Sequence, residues 1–193
     1  SVGVKPNIAF LEDSGIETDR GILVDAYLQT KIPDVYAIGD CAKHQQPIKG
    51  RKDVQADWYT PRMMGETVAQ TICGKPFKYN PSHWFNSAKF FNIEFQTYGN
   101  VSPNPGEDEQ HFHWENKKGD RALTIAFDRT SAIFLGINTF GIRMRHQILD
   151  RWLSEERDLE YVIKNLGQAN FDPEFYDRHE KEIFSSFKDQ LQY

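Results

Sequence analysis

The chain has no Gly-x-Gly-x-x-Gly turn and no Gly-x-x-x-x-Gly-Lys-Ser/Thr loop in its 193 residues, because its 13 glycines never fall into either spacing. It therefore carries no phosphate-cradling turn of its own, of the dinucleotide or the nucleoside-triphosphate kind. Cysteine is scarce. Cys41 and Cys73 are the two present, too far apart for a redox Cys-x-x-Cys pair and too few for a disulfide framework, which fits a reducing compartment. No apolar run approaches the roughly 20 residues a helix needs to cross a bilayer. The start also lacks the charged-then-apolar pattern of a signal peptide. A cytoplasmic protein with no membrane contact is the expectation.

Positive charge is in short supply too. Residues 1–80 hold ten Lys/Arg and ten Asp/Glu, leaving thirteen against eighteen in residues 81–193, so the net charge of −5 belongs to the second half. An acidic half without a basic stripe excludes nucleic acid as a partner, since that binding rests on neutralising phosphates. The one basic cluster, residues 43–52 (Lys-His-Gln-Gln-Pro-Ile-Lys-Gly-Arg-Lys), reads as a solvated loop, the alternative being a face for an anion. With 39% hydrophobic and 26% charged residues, the chain has enough apolar material for one large or two small soluble domains.

Against these absences stands residues 30–42, Thr-Lys-Ile-Pro-Asp-Val-Tyr-Ala-Ile-Gly-Asp-Cys-Ala. Val35, Tyr36, Ala37 and Ile38 read as a short strand buried on both faces, and Gly39 lets the backbone turn to deliver Asp40 at the strand's end. Strand ends are where α/β folds place ligands, so Asp40 is a candidate acceptor for a sugar-type hydroxyl. Together with residues 21–25 (Gly-Ile-Leu-Val-Asp), this stretch resembles the second flavin-binding motif of the pyridine nucleotide-disulfide oxidoreductase family: Gly21, Val24, Asp25, Thr30, Tyr36, Ala37, Gly39 and Asp40 stand in register with it. The resemblance implies that Asp40 binds the ribityl chain of FAD, with Gly39 and Cys41 beside it. Residues 1–7 are similar to the segment by which such chains re-enter the flavin domain from the nicotinamide domain. The chain is thus expected to begin inside a larger protein, with the missing Gly-rich turns and the NAD(P)H site upstream.

Next comes a stretch signed as a helix, with Thr60 as N-cap, Pro61 in the first position and Gly74 past the end. Met64, Val68, Ala69 and Ile72 form its expected buried stripe. In the family, a helix at this place points its N-terminus at the pyrimidine edge of the flavin ring, where unpaired N–H groups and a positive partial charge favour negative charge on reduction. By that likeness the backbone of Tyr59 and Thr60 tunes the flavin. Trp58 and Tyr59 either pack against the flavin or nicotinamide or simply anchor the helix start. Cys41 reads as a small buried residue, the alternative being a flavin-linked thiol.

Residues 74–83 carry two prolines and read as a linker, placing a boundary near residue 80. Beyond it four strands are expected, at 87–98, 110–115, 122–128 and 132–138, forming an antiparallel meander. In the third, Leu123, Ile125 and Phe127 alternate with Ala122, Thr124 and Ala126. Helices follow at 142–155, at 159–166 ending on Gly167, and at 173–191, the last with Tyr176, Ile183, Phe184, Phe187 and Leu191 on one face; laid on the sheet they make an α+β layer. The fold class is α+β: a partial Rossmann-like FAD-binding segment over residues 1–79, then an antiparallel-sheet domain with helices over 80–193, similar to the family's C-terminal or interface domain. The motif resemblance ends at residue 74, and beyond it the likeness is architectural.

His111 and His113 share a strand face and are a permissible but incomplete metal pair. No His is followed by Pro, so the acid/base pair of the family's dithiol reductases is missing, and His179-Glu180 falls inside a predicted helix. What the likeness leaves is the ferredoxin or rubredoxin reductase branch, passing electrons from NAD(P)H through FAD to a protein or small-molecule acceptor that the sequence does not identify. Arg143 and Arg145 read as cationic surface at a helix start, the alternative being a dock for an acidic carrier. The chain alone is expected to be inactive. The other function class is an interaction or dimerisation module with a vestigial flavin half-site, and an open sheet edge in residues 1–40 makes a homodimer a further expectation.

Overall fold

The computed structural model describes residues 3–46, 48–171 and 177–191, and the chain divides into two compact units, Ser1–Ser82 and His83–Tyr193.

The first unit is built on two short parallel strands, β1 (Ile22–Val24) and β2 (Ala42–His44), with Ile22 opposite Ala42 and Val24 opposite His44. Between them the chain makes a hydrogen-bonded excursion. Asp25 Oδ1 accepts from the backbone N–H of Tyr27 (2.8 Å) and Gln29 (3.0 Å), the Thr30 N–H donates to Val35 O (2.8 Å), and the Ala37 N–H donates to Leu28 O (3.1 Å). Residues 35–38 are therefore no two-faced strand. They pair back on 28–30 through the single Gln29–Tyr36 bridge, and Ile38 stays 42% exposed. Asp40 accordingly stands at the entrance to β2 and not at a strand's end. The helix α1 (Tyr59–Ile72) closes the unit by burying Met64 and Val68 against Val24, Leu28, Ala37, Ala42 and Tyr79. Ala69 and Ile72, expected in that stripe, face outward, their places taken by Thr60 and Thr67. Gly74 follows the helix end with φ +81°, as its position predicts.

The second unit is a five-stranded antiparallel sheet: β3 (Phe85–Phe90), β4 (Ile93–Gly99), β5 (Glu109–Glu115), β6 (Ala122–Asp128) and β7 (Phe134–Phe140). Their order is β3-β4-β7-β6-β5, so β7 inserts beside β4 and the arrangement is not a plain meander. The expected strand 87–98 is a hairpin, with Phe90 opposite Ile93 and a two-residue loop of Phe91 and Asn92. Phe91 adopts φ +52°, a conformation in which turns favour Gly or Asn, and for that reason the residues gave no sign of it.

Helices cover one face of this sheet: α2 (His146–Ser154), α3 (Leu159–Lys164), α4 (Leu166–Ala169) and α5 (Glu180–Leu191). Leu149, Trp152, Val162, Leu166, Ile183 and Phe187 pack there on Phe112, Trp114, Leu123, Ile125 and Ile137. Residues 142–145 are not helical. The Met144 N–H donates to Gln96 Oε1 (2.7 Å), the Tyr98 hydroxyl donates to Met144 O (3.3 Å), and Met144 bridges Asn170, which holds the segment extended. Asn165 separates α3 from α4, leaving Gly167 inside α4, while His179 lies just before α5. The expected helix start at Pro173 and its Tyr176 lie outside the described residues, as do Ser1 and Val2 of the opening segment, Pro47 of the basic loop and the side chain of Leu191.

Candidate functional site

Gly39, Asp40 and Cys41 form one 3₁₀ turn between the excursion and β2. Gly39 has φ +82°, its N–H donates to Met64 Sδ at 3.3 Å, and a Cβ built on it would lie 3.7 Å from Pro61 Cβ. The turn is thus seated against the first turn of α1. Gly21 makes this possible from the other side: a Cβ there would come within 3.0 Å of Cys41 O and of Lys43 Cβ, so only glycine lets the chain pass. Asp40 itself is exposed, and its carboxylate makes no hydrogen bond or ion pair with the described residues. Gly21, Asp25 and Thr30 are therefore structural members of the motif, and Asp40 is the member turned outward.

At the start of α1 the capping differs from expectation. Asp57 Oδ1 accepts from the N–H of Tyr59 (3.0 Å) and of Thr60 (2.8 Å), and Oδ2 accepts from the Thr60 hydroxyl (2.8 Å). Thr60 lies inside the helix, almost fully buried, and is not its cap. Pro61 has no N–H, so the donors of the first turn are already engaged by a carboxylate. Trp58 is 83% exposed beside this cap, and Tyr59 is half-buried.

Beneath the helix start lies a polar cluster. Arg51 Nη1 donates to Gln55 Oε1 (2.6 Å) and Thr60 Oγ1 (3.3 Å), and its Nε donates to Ser82 O (2.8 Å). Gln55 Nε2 is buried without a partner among the described residues. His44 and Tyr79 stack with ring centroids 5.3 Å apart. Burial first, and then the Arg51 charge, hold the His44 imidazole below its usual pKa, and burial pushes the Tyr79 phenol up.

The basic stretch 43–52 is not simply solvated. Lys43 is buried and ion-paired with Asp19 and with Asp53 (3.5 Å), and Asp53 also takes Arg20 at 2.8 Å. The Asp19 carboxyl is held below its ordinary range by the Lys43 hydrogen bond and charge. Cys41 is half-buried with Sγ 3.9 Å from Asn7 O, and Cys73 is an exposed free thiol after α1.

In the second unit the two strand histidines go separate ways, His111 Nε2 to Glu109 Oε1 (2.6 Å) and His113 Nδ1 to Thr124 Oγ1 (2.9 Å). No group of three metal-ligating side chains occurs among the described residues. Arg143 is engaged by Glu94 (2.7 Å) and lies over the Phe171 ring, while Arg145 Nε donates to Phe171 O (3.2 Å). His179 packs against Trp114.

Of the six residues singled out from the sequence, the structure gathers Gly39, Asp40, Cys41, Trp58, Tyr59 and Thr60 within one unit, at the junction of the turn and α1. Asp57, Gln55 and Arg51 were missed. Asp57 had a signal, because Asp caps a helix as well as Thr does and both precede Pro61.

Residues 1–70 match the family model of the pyridine nucleotide-disulphide oxidoreductases. Among curated relatives, the chain is 28% identical over 167 residues, 86% of its length, to the assimilatory nitrate reductase electron transfer subunit of Bacillus subtilis. It is 35% identical over 80 residues, 42% of its length, to the NADH-rubredoxin oxidoreductase of Clostridium acetobutylicum. The matches cover 20% of each relative, so the chain spans about a fifth of their length. The first alignment is too long to lie within the first unit, so sequence likeness extends past residue 74 into the second. In fold, the chain resembles a FAD-dependent pyridine nucleotide-disulphide oxidoreductase from Desulfovibrio vulgaris, with TM-score 0.71 and 19% identity over 99% of this chain and 48% of that one. No helix among the described residues is long and apolar enough to cross a membrane.

Proposed function

We propose that this chain is the C-terminal part of a FAD-dependent NAD(P)H oxidoreductase that passes electrons to a protein or small-molecule acceptor. Residues 1–79 supply part of its FAD-binding domain, and residues 80–193 form an α+β C-terminal domain. The carrying observation is Asp40, an exposed carboxylate without a partner among the described residues, fixed by Gly39 against the start of α1. Such an acceptor, held on a rigid backbone turn, fits a flavin's ribityl hydroxyls, which donate to it. When bound, FAD would supply hydride acceptance from NAD(P)H and release of electrons to the acceptor. The chain's own residues orient it: Asp40 accepts from a hydroxyl, Gly39 and Cys41 bring the backbone close, and Trp58 and Tyr59 offer aromatic surface beside the helix start. One relative is named as an electron transfer subunit of assimilatory nitrate reductase and another as an NADH-rubredoxin oxidoreductase, and this likeness favours a protein electron carrier over a dithiol substrate.

The test is a visible spectrum of the full-length protein beside its Asp40→Ala variant, both saturated with FAD and then desalted. Flavin absorbance retained only with Asp40 is the expected result. Flavin held equally by both would remove Asp40 from the site. A second reading, an interaction module with a vestigial flavin half-site, draws on the apolar tip of the β3–β4 hairpin, where Phe90, Phe91 and Ile93 are all exposed. Flavin in neither protein would favour that reading.

A further inference from the structure

The start of α1 does not offer what a helix aimed at a flavin would be expected to offer. Its first-turn N–H groups donate to Asp57 Oδ1, and the positive end of the helix carries a carboxylate. We propose that Asp57 is a tuning residue that lowers the reduction potential of a flavin seated at this helix start, a proposal that rests on the flavin reading above. Asp57 exchanges no proton and no electron. It acts through space, and by occupying the donors that would otherwise meet the developing negative charge at the pyrimidine edge. Like charges at close range disfavour each other, most strongly where water is excluded.

A second observation marks the same place as a ligand surface. Gln55 is 4% exposed, its Oε1 is fixed by Arg51 Nη1 at 2.6 Å, and its Nε2 is buried with no partner among the described residues. A buried unpaired donor is costly, and a bound group that accepts from it removes that cost. The helix start thus presents an amide held by the Arg51 guanidinium and a turn capped by the Asp57 carboxylate in place of open backbone N–H groups. The design lowers affinity for reduced flavin relative to oxidised flavin, and so makes the reduced cofactor a stronger donor to an acceptor of low potential.

The experiment is redox titration of the bound flavin in the full-length protein against dyes of known potential, with no acceptor and no turnover. Asp57→Asn keeps a side-chain oxygen for the cap and removes the charge. It should tighten reduced over oxidised flavin about tenfold, moving the midpoint up by about 30 mV for a two-electron couple. Asp57→Glu keeps the charge and should stay near the unaltered protein. Asp53→Asn removes a carboxylate that pairs with Arg20 and Lys43 elsewhere in the unit, and should not move the potential. If Asp57→Asn does not fold, Asp57→Ser supplies a neutral N-cap for the same reading. An unchanged or lowered midpoint in the neutral variants overturns the proposal while leaving the flavin reading intact. No flavin in the unaltered protein overturns both.

Discussion

Among the described residues, the first unit gathers seven buried hydrophobic side chains into its core and the second gathers twenty, with Trp152, Phe112 and Phe134 almost wholly out of water. The second is held as a sheet with helices laid on one face, where each strand and helix contributes an apolar stripe. The first relies more on backbone placement: an Asp25 turn, a Thr30–Val35 hydrogen bond, a Gly21 close approach and the Arg20–Asp53–Lys43–Asp19 ion pairs. The difference teaches where the candidate site gets its precision. Asp40 is positioned by turns whose N–H and C=O groups are paired, and the helix α1, through Met64 and Val68, ties those turns to apolar packing.

The sharpest way to break this comparison is to cut each core at its centre. Trp152→Ala in the second unit should cost about 4 kcal/mol, and Met64→Ala in the first about 3 kcal/mol, from lost burial plus the cavity left behind. Hydrogen exchange read by peptide distinguishes them. Trp152→Ala should strip protection from β5, β6 and α2 while the amides of Leu28, Thr30 and Ala37 keep theirs, and Met64→Ala should do the reverse. Because Met64 also receives the Gly39 N–H, its loss should release the Gly39–Cys41 turn first. Simultaneous loss of protection everywhere in both variants would show that the two units do not stand on separate cores.

The same contrast decides what could be read from the residues. Strand β6 was legible to the residue, because Leu123, Ile125 and Phe127 alternate and Asp128 starts a side-chain-capped turn through Thr130 and Ser131. Periodicity works where a sheet has one buried face. It failed at residues 35–38, where four apolar residues in a row mark a loop arm packed on one side. It also failed at 142–145, where helix-like spacing yields to the Gln96 and Tyr98 hydrogen bonds from a distant strand. In the site, Gly39 and Asp40 were legible because their spacing from Gly21 is fixed by a motif. Asp57 was not, since two residues of equal capping ability precede Pro61 and only the fold selects between them.

A smaller effect should appear with pH, and in the first unit alone. His44 is buried and stacked on Tyr79, with its Nε2 unpaired among the described residues and its pKa held below 6.5 by burial and Arg51. The unfolded chain therefore binds a proton more readily than the folded one. Stability from this group is fully present above about pH 6.5, the ordinary value, and is lost as pH falls toward the lower folded pKa. Asp53 acts in the opposite sense on the same ring. Urea midpoints of the first unit, followed through Trp58, should decline between pH 7 and pH 5 with a slope of at most one proton, and His44→Gln should flatten that decline. A slope unchanged by the substitution would assign the pH dependence to other groups.

The smallest effect expected lies at the far end of the second unit, where a large core does not prevent local strain. Phe91 sits in the β3–β4 loop at φ +52° and is 95% exposed, so its ring contributes almost no burial while its backbone pays for a left-handed conformation. Phe91→Gly removes the Cβ that makes that region unfavourable, but it also loosens the unfolded chain. The first effect should outweigh the second by about 0.5 kcal/mol, because a non-glycine residue held in this region costs on the order of 1 kcal/mol. Denaturation of the second unit, followed through its remaining tryptophans, should therefore shift to slightly higher urea with an unchanged slope. A loss of stability instead would show that the exposed ring is held by its neighbours, and that the tip of the hairpin belongs to the packed part of the unit rather than to its surface.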